Sequence, residues 1–161
     1  MKSIAKAVLC YQMTSLLLTM TFVRTAAAEK QVPFKGSVQA VESYDIQFPT
    51  MLVDTIGSGN ATQLGEFIVT WEFTVDLVTG AGIGSAHFIA ANGDSLFTVS
   101  LGQGDPTETP GVNRVVEMHT IKGGTGRFAG ATGSFTLERL AALDGITSGS
   151  FQGTIAESKA K

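Results

Sequence analysis

The sequence predicts an all-β protein, an antiparallel closed barrel of about eight strands. Three observations lead there. Apolar and polar residues alternate with period two along most of the chain after Pro33, as in strands with one dry and one wet side. No segment keeps a helical period over about 11 residues. The chain also carries 19 glycines, many of them inside the alternating runs, where they suit the bends of a closing sheet. A barrel is favoured over an open sandwich because closure removes the sheet edges.

The elements follow in order. Phe34–Val41 opens the first strand, and about Met51 to Gly57 forms the second. Glu66–Val78 is the clearest, rich in β-branched and aromatic residues. In it Phe67, Val69, Trp71, Phe73, Val75 and Leu77 share one face, opposite Glu66, Thr70, Glu72, Thr74 and Asp76. Gly82–Ala91 is the fourth strand, with His87 and Ile89 opposite Ala86, Phe88 and Ala90. Asn92-Gly93-Asp94 reads as a hairpin turn, since Asn-Gly suits positive φ, with Asp94 capping it. Ser95–Leu101 returns, and Gly102–Gly111, with three glycines, two prolines and two acids, reads as a loop. Asn113–Lys122 follows, with Val115, Glu117, His119 and Ile121 opposite Val116, Met118 and Thr120. Gly133–Leu143 and Ile146–Ala156 complete the set, and the tail 157–161 is expected to fray.

Between the sixth and seventh strands lies Gly123-Gly-Thr-Gly-Arg-Phe-Ala-Gly-Ala-Thr-Gly133. Gly123, Gly124, Gly126, Gly130 and Gly133 predict a tight corner, where the backbone takes positive φ or another chain passes close by. Arg127 can fold from this corner onto a carboxylate or backbone carbonyls through its planar fork. Gly124-x-Gly126-x-x-Ala129 also fits a degenerate dinucleotide fingerprint. That motif works only between a strand and a helix, and Ser134–Leu140 alternates like a strand, so a structural corner is the better reading.

This segment carries a resemblance, together with Gly59-Asn-Ala-Thr-Gln-Leu-Gly65 and Ala91-Asn-Gly-Asp-Ser-Leu96, which precede it in that order. The chain resembles uncharacterised secreted bacterial proteins related to the allene oxide cyclase and dirigent β-barrels, over roughly residues 34–156. The resemblance implies the barrel fold, and a homo-oligomer would accord with it. It implies rearrangement of an unstable fatty-acid epoxide in the one family and steering of phenol radical coupling in the other. No segment matches the catalytic positions of either, so no catalytic residue is carried over.

The first 28 residues read as a signal peptide. Lys2 and Lys6 form a basic start, Ala7–Val23 is mostly apolar, and Ala26-Ala27-Ala28 offers a cleavage site before Glu29. A single domain, 29–161, is expected, secreted or periplasmic, with no membrane anchor after cleavage. Loss of Lys2, Lys6 and Arg24 leaves eight basic against 14 acidic residues, a net charge near −6. Such a balance argues against a nucleic-acid partner, which needs clustered cations, and against docking on anionic lipid. The only cysteine, Cys10, leaves with the leader, so no disulfide or thiol chemistry is expected. At this length one core can form unaided. Asn60-Ala61-Thr62 is a glycosylation sequon, relevant only to a eukaryotic secretory route.

Chemistry is sparsely marked. His87 and His119 are the only histidines and neither has a second ligand at strand spacing, so no metal and no cofactor are expected. No serine occupies a nucleophile elbow. Glu117 and His119 share one strand face two residues apart and form the best polar pair, which His87 could join from a neighbouring strand. Two readings follow. The favoured one is a non-enzymatic exported barrel that binds a small apolar ligand or a protein partner. The other is an isomerase, cyclase or dirigent-like protein that shapes a reactive lipid or phenolic substrate in a dry cavity, with Glu117 as acid/base, His119 as its partner and His87 nearby.

Overall fold

The structure, a computed structural model, describes residues 30–156. The expected signal peptide 1–28, the cleavage site before Glu29 and the frayed tail 157–161 lie outside the described residues. Eight antiparallel strands run up and down in sequence order and close into a barrel. They are β1 Val32–Gln47, β2 Thr50–Ala61, β3 Gly65–Asp76, β4 Ala81–Ala90, β5 Ser95–Pro106, β6 Val112–Gly124, β7 Thr132–Ala142 and β8 Ile146–Ala156. Closure is made by β1 against β8, from Val32 opposite Ile155 to Val41 opposite Ile146.

The period-two pattern is what sets the inside. Phe34, Val38 and Ala40 of β1, Phe67, Val69, Trp71 and Phe73 of β3, Ala86, Phe88 and Ala90 of β4, and Phe135 and Leu137 of β7 are buried in one core. Five phenylalanines fill one end: Phe34 meets Phe135 edge-on at 5.2 Å between centroids, and Phe135 lies 5.0 Å from Phe151. Phe88 and Phe67 complete the group at 5.4 Å. Each such ring, taken from water, contributes roughly 2–3 kcal/mol of hydrophobic stabilisation, and edge-on pairs add to it.

The same end is sealed by its turns. Leu64 from the β2–β3 turn and Phe128 from the β6–β7 corner are buried over the phenylalanine cluster. The corner is a strand bulge followed by a short 3₁₀ turn, Gly126–Phe128. The register of β5 against β6 shifts between Phe97 and Thr98, whose partners are Gly123 and Ile121, so Lys122 is the extra residue. Gly123, Gly126, Gly130 and Gly133 have positive φ. Gly124 does not. Its need for glycine is spatial: a Cβ there would run into the Ser95 carbonyl and come within 2.7 Å of the Phe128 side chain. Arg127 fastens the seal, donating from Nη2 to the Leu64 carbonyl at 3.1 Å and stacking over the Phe128 ring at 4.8 Å. The Arg127 amide donates to Asp94 Oδ2 at 3.3 Å, and Ser95 N donates to Thr125 Oγ1 at 2.9 Å. Asp94 thus ties the β4–β5 hairpin to the corner as well as closing its own turn with Asn92.

Several strands run longer than the sequence suggests. β1 continues past Val41 because Glu42, Tyr44 and Ile46 keep the inward phase of Phe34, Val38 and Ala40. β2 continues to Ala61. The expected loop at Gly102 is a further stretch of β5: Gly102 pairs with Glu117 and Gly82, and Gly104 with Val115. Glycine there is a small residue that leaves space in the lumen rather than a turn signal. Leu77 falls just beyond β3, whose dry face ends at Val75.

Candidate functional site

The opposite end of the barrel is open. The β1–β2, β3–β4, β5–β6 and β7–β8 turns surround a cavity of about 540 Å³. Its walls are mostly apolar: Ile46, Met51, Val53, Phe73, Val75 and Val115. Gly82 and Gly102 face it where larger side chains would fill the space. Its floor is a charged layer placed across the middle of the lumen, formed by Glu42 of β1, Glu117 of β6 and Arg139 of β7.

Each member of this layer sits on an inward strand position, which is why it is buried despite its charge. Arg139 donates from Nε and Nη2 to Glu117 Oε1 at 3.0 and 2.8 Å, and from Nη1 to Thr147 Oγ1 at 2.9 Å. Nη1 also forms an ion pair with Glu42 Oε1 at 2.6 Å. The guanidinium lies over the Trp71 ring at 5.5 Å. Tyr44, at the lip, donates its hydroxyl proton to Glu42 Oε2 at 2.8 Å. Below, His119 Nε2 lies 3.2 Å from Glu117 Oε2, and its Nδ1 lies 3.0 Å from Thr98 Oγ1. The His119 ring stacks flat on Phe135, 4.6 Å between centroids. Because Glu117 accepts, Nε2 carries the hydrogen, and in the neutral ring Nδ1 accepts from Thr98. Three further buried polar atoms, Thr55 Oγ1, Trp71 Nε1 and Ser100 Oγ, have no protein partner.

The electrostatics follow from this wiring. Burial alone would push the Glu117 carboxyl up, but the His119 hydrogen bond and the Arg139 charge outweigh it and hold the carboxyl below its ordinary value. Tyr44 is pushed the other way. Partial burial, and then its hydrogen bond to the Glu42 carboxylate, raise the phenol well above its ordinary value. Glu117 is therefore a fixed carboxylate and Tyr44 a fixed phenol. Neither changes protonation easily near neutral pH.

Glu117 and His119 are brought together, as the sequence pairs them, inside the lumen. His87 is not with them. It points outward from β4, where Nε2 meets Ser95 Oγ at 3.0 Å and the ring lies against Phe97 at 4.6 Å. The β4 alternation puts Ala86, Phe88 and Ala90 inside instead, so His87 cannot reach the Glu117 carboxylate through the sheet. The glycine corner and Arg127 lie at the sealed end, away from the cavity. Arg139, Glu42 and Tyr44 are the members that sequence reasoning passed over. Their signal was phase: each is polar at a position in step with an apolar stripe. Among the described residues no group of three or more His, Cys, Asp or Glu is placed to hold a metal ion. No protein family, curated protein or solved structure matches the chain.

Proposed function

We propose that the protein is a non-enzymatic binding barrel that takes a small, largely apolar molecule into its open end. The observation that carries this reading is the contrast between the two halves of one lumen. One half is filled by phenylalanine, while the other leaves about 540 Å³ between apolar walls. A cavity of this size over a few convergent polar groups is the usual form of a small-ligand site, and eight-stranded barrels are just wide enough to hold one.

The wiring of the floor favours binding over catalysis. An acid/base must give and take a proton near the working pH. Glu117 is held as a carboxylate by Arg139 and His119, with both oxygens already engaged. The likeness to allene oxide cyclase and dirigent barrels accords with an apolar lumen, but a shared architecture does not carry an activity with it.

A neutral apolar fluorophore, N-phenyl-naphthylamine, tests the reading. We expect saturable one-to-one binding with energy transfer from Trp71, the single tryptophan. Ala141→Phe, placed on the cavity wall near the mouth, should weaken it about tenfold or more by occupying the space. Absence of saturable binding, or equal binding by the variant, would overturn the proposal.

A further inference from the structure

The charges that line the cavity are unbalanced, and the imbalance bears on what it holds. Glu42 and Glu117 face it, and Asp76 and Asp105 border its mouth, against a single lining cation, Arg139. Glu42 and Glu117 lie on the floor and are almost wholly buried; Asp76 and Asp105 stand at the rim. His119, behind Glu117, does not line the cavity, and even as an imidazolium it would leave the four carboxylates in excess. Asp76 accepts the Val78 and Thr79 amides at 2.8 and 3.0 Å, bonds that favour its ionised form.

An anionic ligand finds no anchor here. Arg139 would be the obvious one, but each of its three nitrogens already faces a protein oxygen, on Glu117, Thr147 or Glu42. A carboxylate entering the cavity would approach Glu42 and Glu117 in a dry setting, where like charges repel more strongly than in water. A cation meets the reverse. Glu42 Oε2 and the Tyr44 hydroxyl oxygen stand 2.8 Å apart at the edge of the floor, and both have lone pairs free to accept. Tyr44 and Phe73 are aromatic residues of the same lining, a residue type that attracts cations.

We infer that the ligand is a cationic amphiphile, an alkyl or aryl ammonium whose apolar body lies against Met51, Val53, Val75 and Val115 and whose ammonium donates to Glu42 and Tyr44. This rests on the cavity being a binding site, so the experiment separates the two ideas. Hexylammonium, hexanol and hexanoate share one chain and differ in head-group charge. Calorimetric titration of the intact protein should rank hexylammonium first by about tenfold or more over hexanol, with hexanoate weakest. Glu42→Gln should erase most of that preference, lowering hexylammonium affinity far more than hexanol affinity, since it keeps the shape and removes the charge. Should that variant not fold, Asp105→Asn at the exposed rim should still lower hexylammonium affinity and leave hexanol alone. Added salt should narrow the preference through the rim charges. Hexanol binding as tightly as hexylammonium, or hexanoate binding best, would overturn the cationic assignment and leave the cavity reading standing. Failure of all three probes together with the neutral fluorophore would remove both.

Discussion

Gly126 holds φ at +55°, and a Cβ there would run into the Asp94 carboxylate that receives the Arg127 amide. Two costs coincide: the left-handed backbone, about 1–2 kcal/mol for a non-glycine residue, and displacement of a side chain that joins two turns. At Gly124 the obstacle is the Ser95 carbonyl, which is backbone and cannot swing aside. Gly65 separates the two effects, since its φ is +69° but the space around its Cβ is empty. We therefore expect Gly124→Val and Gly126→Val each to cost more than Gly65→Ala, which should lose only about 1 kcal/mol. Urea unfolding of the three variants checks this. A Gly65→Ala loss as large as that of Gly126→Val would show that backbone strain alone accounts for glycine at 126, and an unchanged midpoint in both valine variants would remove the argument for glycine at the corner.

At the scale of the strand, period two is both what made the fold legible and what hid part of the site. Where the inward residues were apolar, as from Phe67 to Val75, the strand and its dry face could be read directly. β6 was legible too, because Glu117 and His119 alternate in step with Ile121. Arg139 follows Phe135 and Leu137 in the same phase, yet a charge beside Glu138 reads by default as part of a wet face. Its charged partners lie on β1 and β6, distant in sequence, so only the folded barrel shows why it is tolerated inside. The ends of β1 and β5 were lost for a related reason: polar residues and glycines that continue the inward phase look like turns when burial is unknown.

The buried layer makes its own prediction about strands held by charge. Removing one partner of a buried pair leaves the other uncompensated, at a cost of about 3–5 kcal/mol. Arg139→Met should do so twice over, stranding Glu42 and Glu117 at neutral pH. The pH dependence fixes the sign. In the wild-type protein Glu117 is held below its ordinary value of 4.5, so its contribution is complete above that value and is lost as pH falls through the folded value. In the variant the Arg139 charge that helps hold Glu117 down is gone, so acid protonates that buried carboxyl more readily and relieves its penalty. The stability gap between the two proteins should therefore narrow from about pH 7 to about pH 4. Chemical unfolding at both pH values measures it, and a gap that holds constant or widens in acid would show that the charges are not what Arg139 contributes.

Across the whole molecule, one continuous sheet joins two halves that differ in what fills them, and stability should be distributed accordingly. Local opening is easiest where few apolar contacts must be broken. The sealed half has the phenylalanine cluster, Leu64 and Phe128 inside and Arg127 strapping its turns together. The open half has hydrogen-bonded strands around unfilled space, with Tyr44 and Ile46 exposed at its lip. Because neighbouring strands run through both halves, sheet pairing is common to them and the difference must come from the lumen. Native-state hydrogen exchange should thus show slower exchange for inward residues such as Val69, Phe88 and Phe135 than for Met51, Val75 and Val115 on hydrogen-bonded positions. A factor of about ten, equivalent to about 1.4 kcal/mol, is the scale to expect. A ligand that fills the cavity supplies the missing contacts, so it should slow exchange in the open half and leave the sealed half nearly unchanged. Uniform protection in the free protein would mean that the open half is packed as firmly as the sealed one, and the cavity would then be no more than an irregularity of the barrel rim.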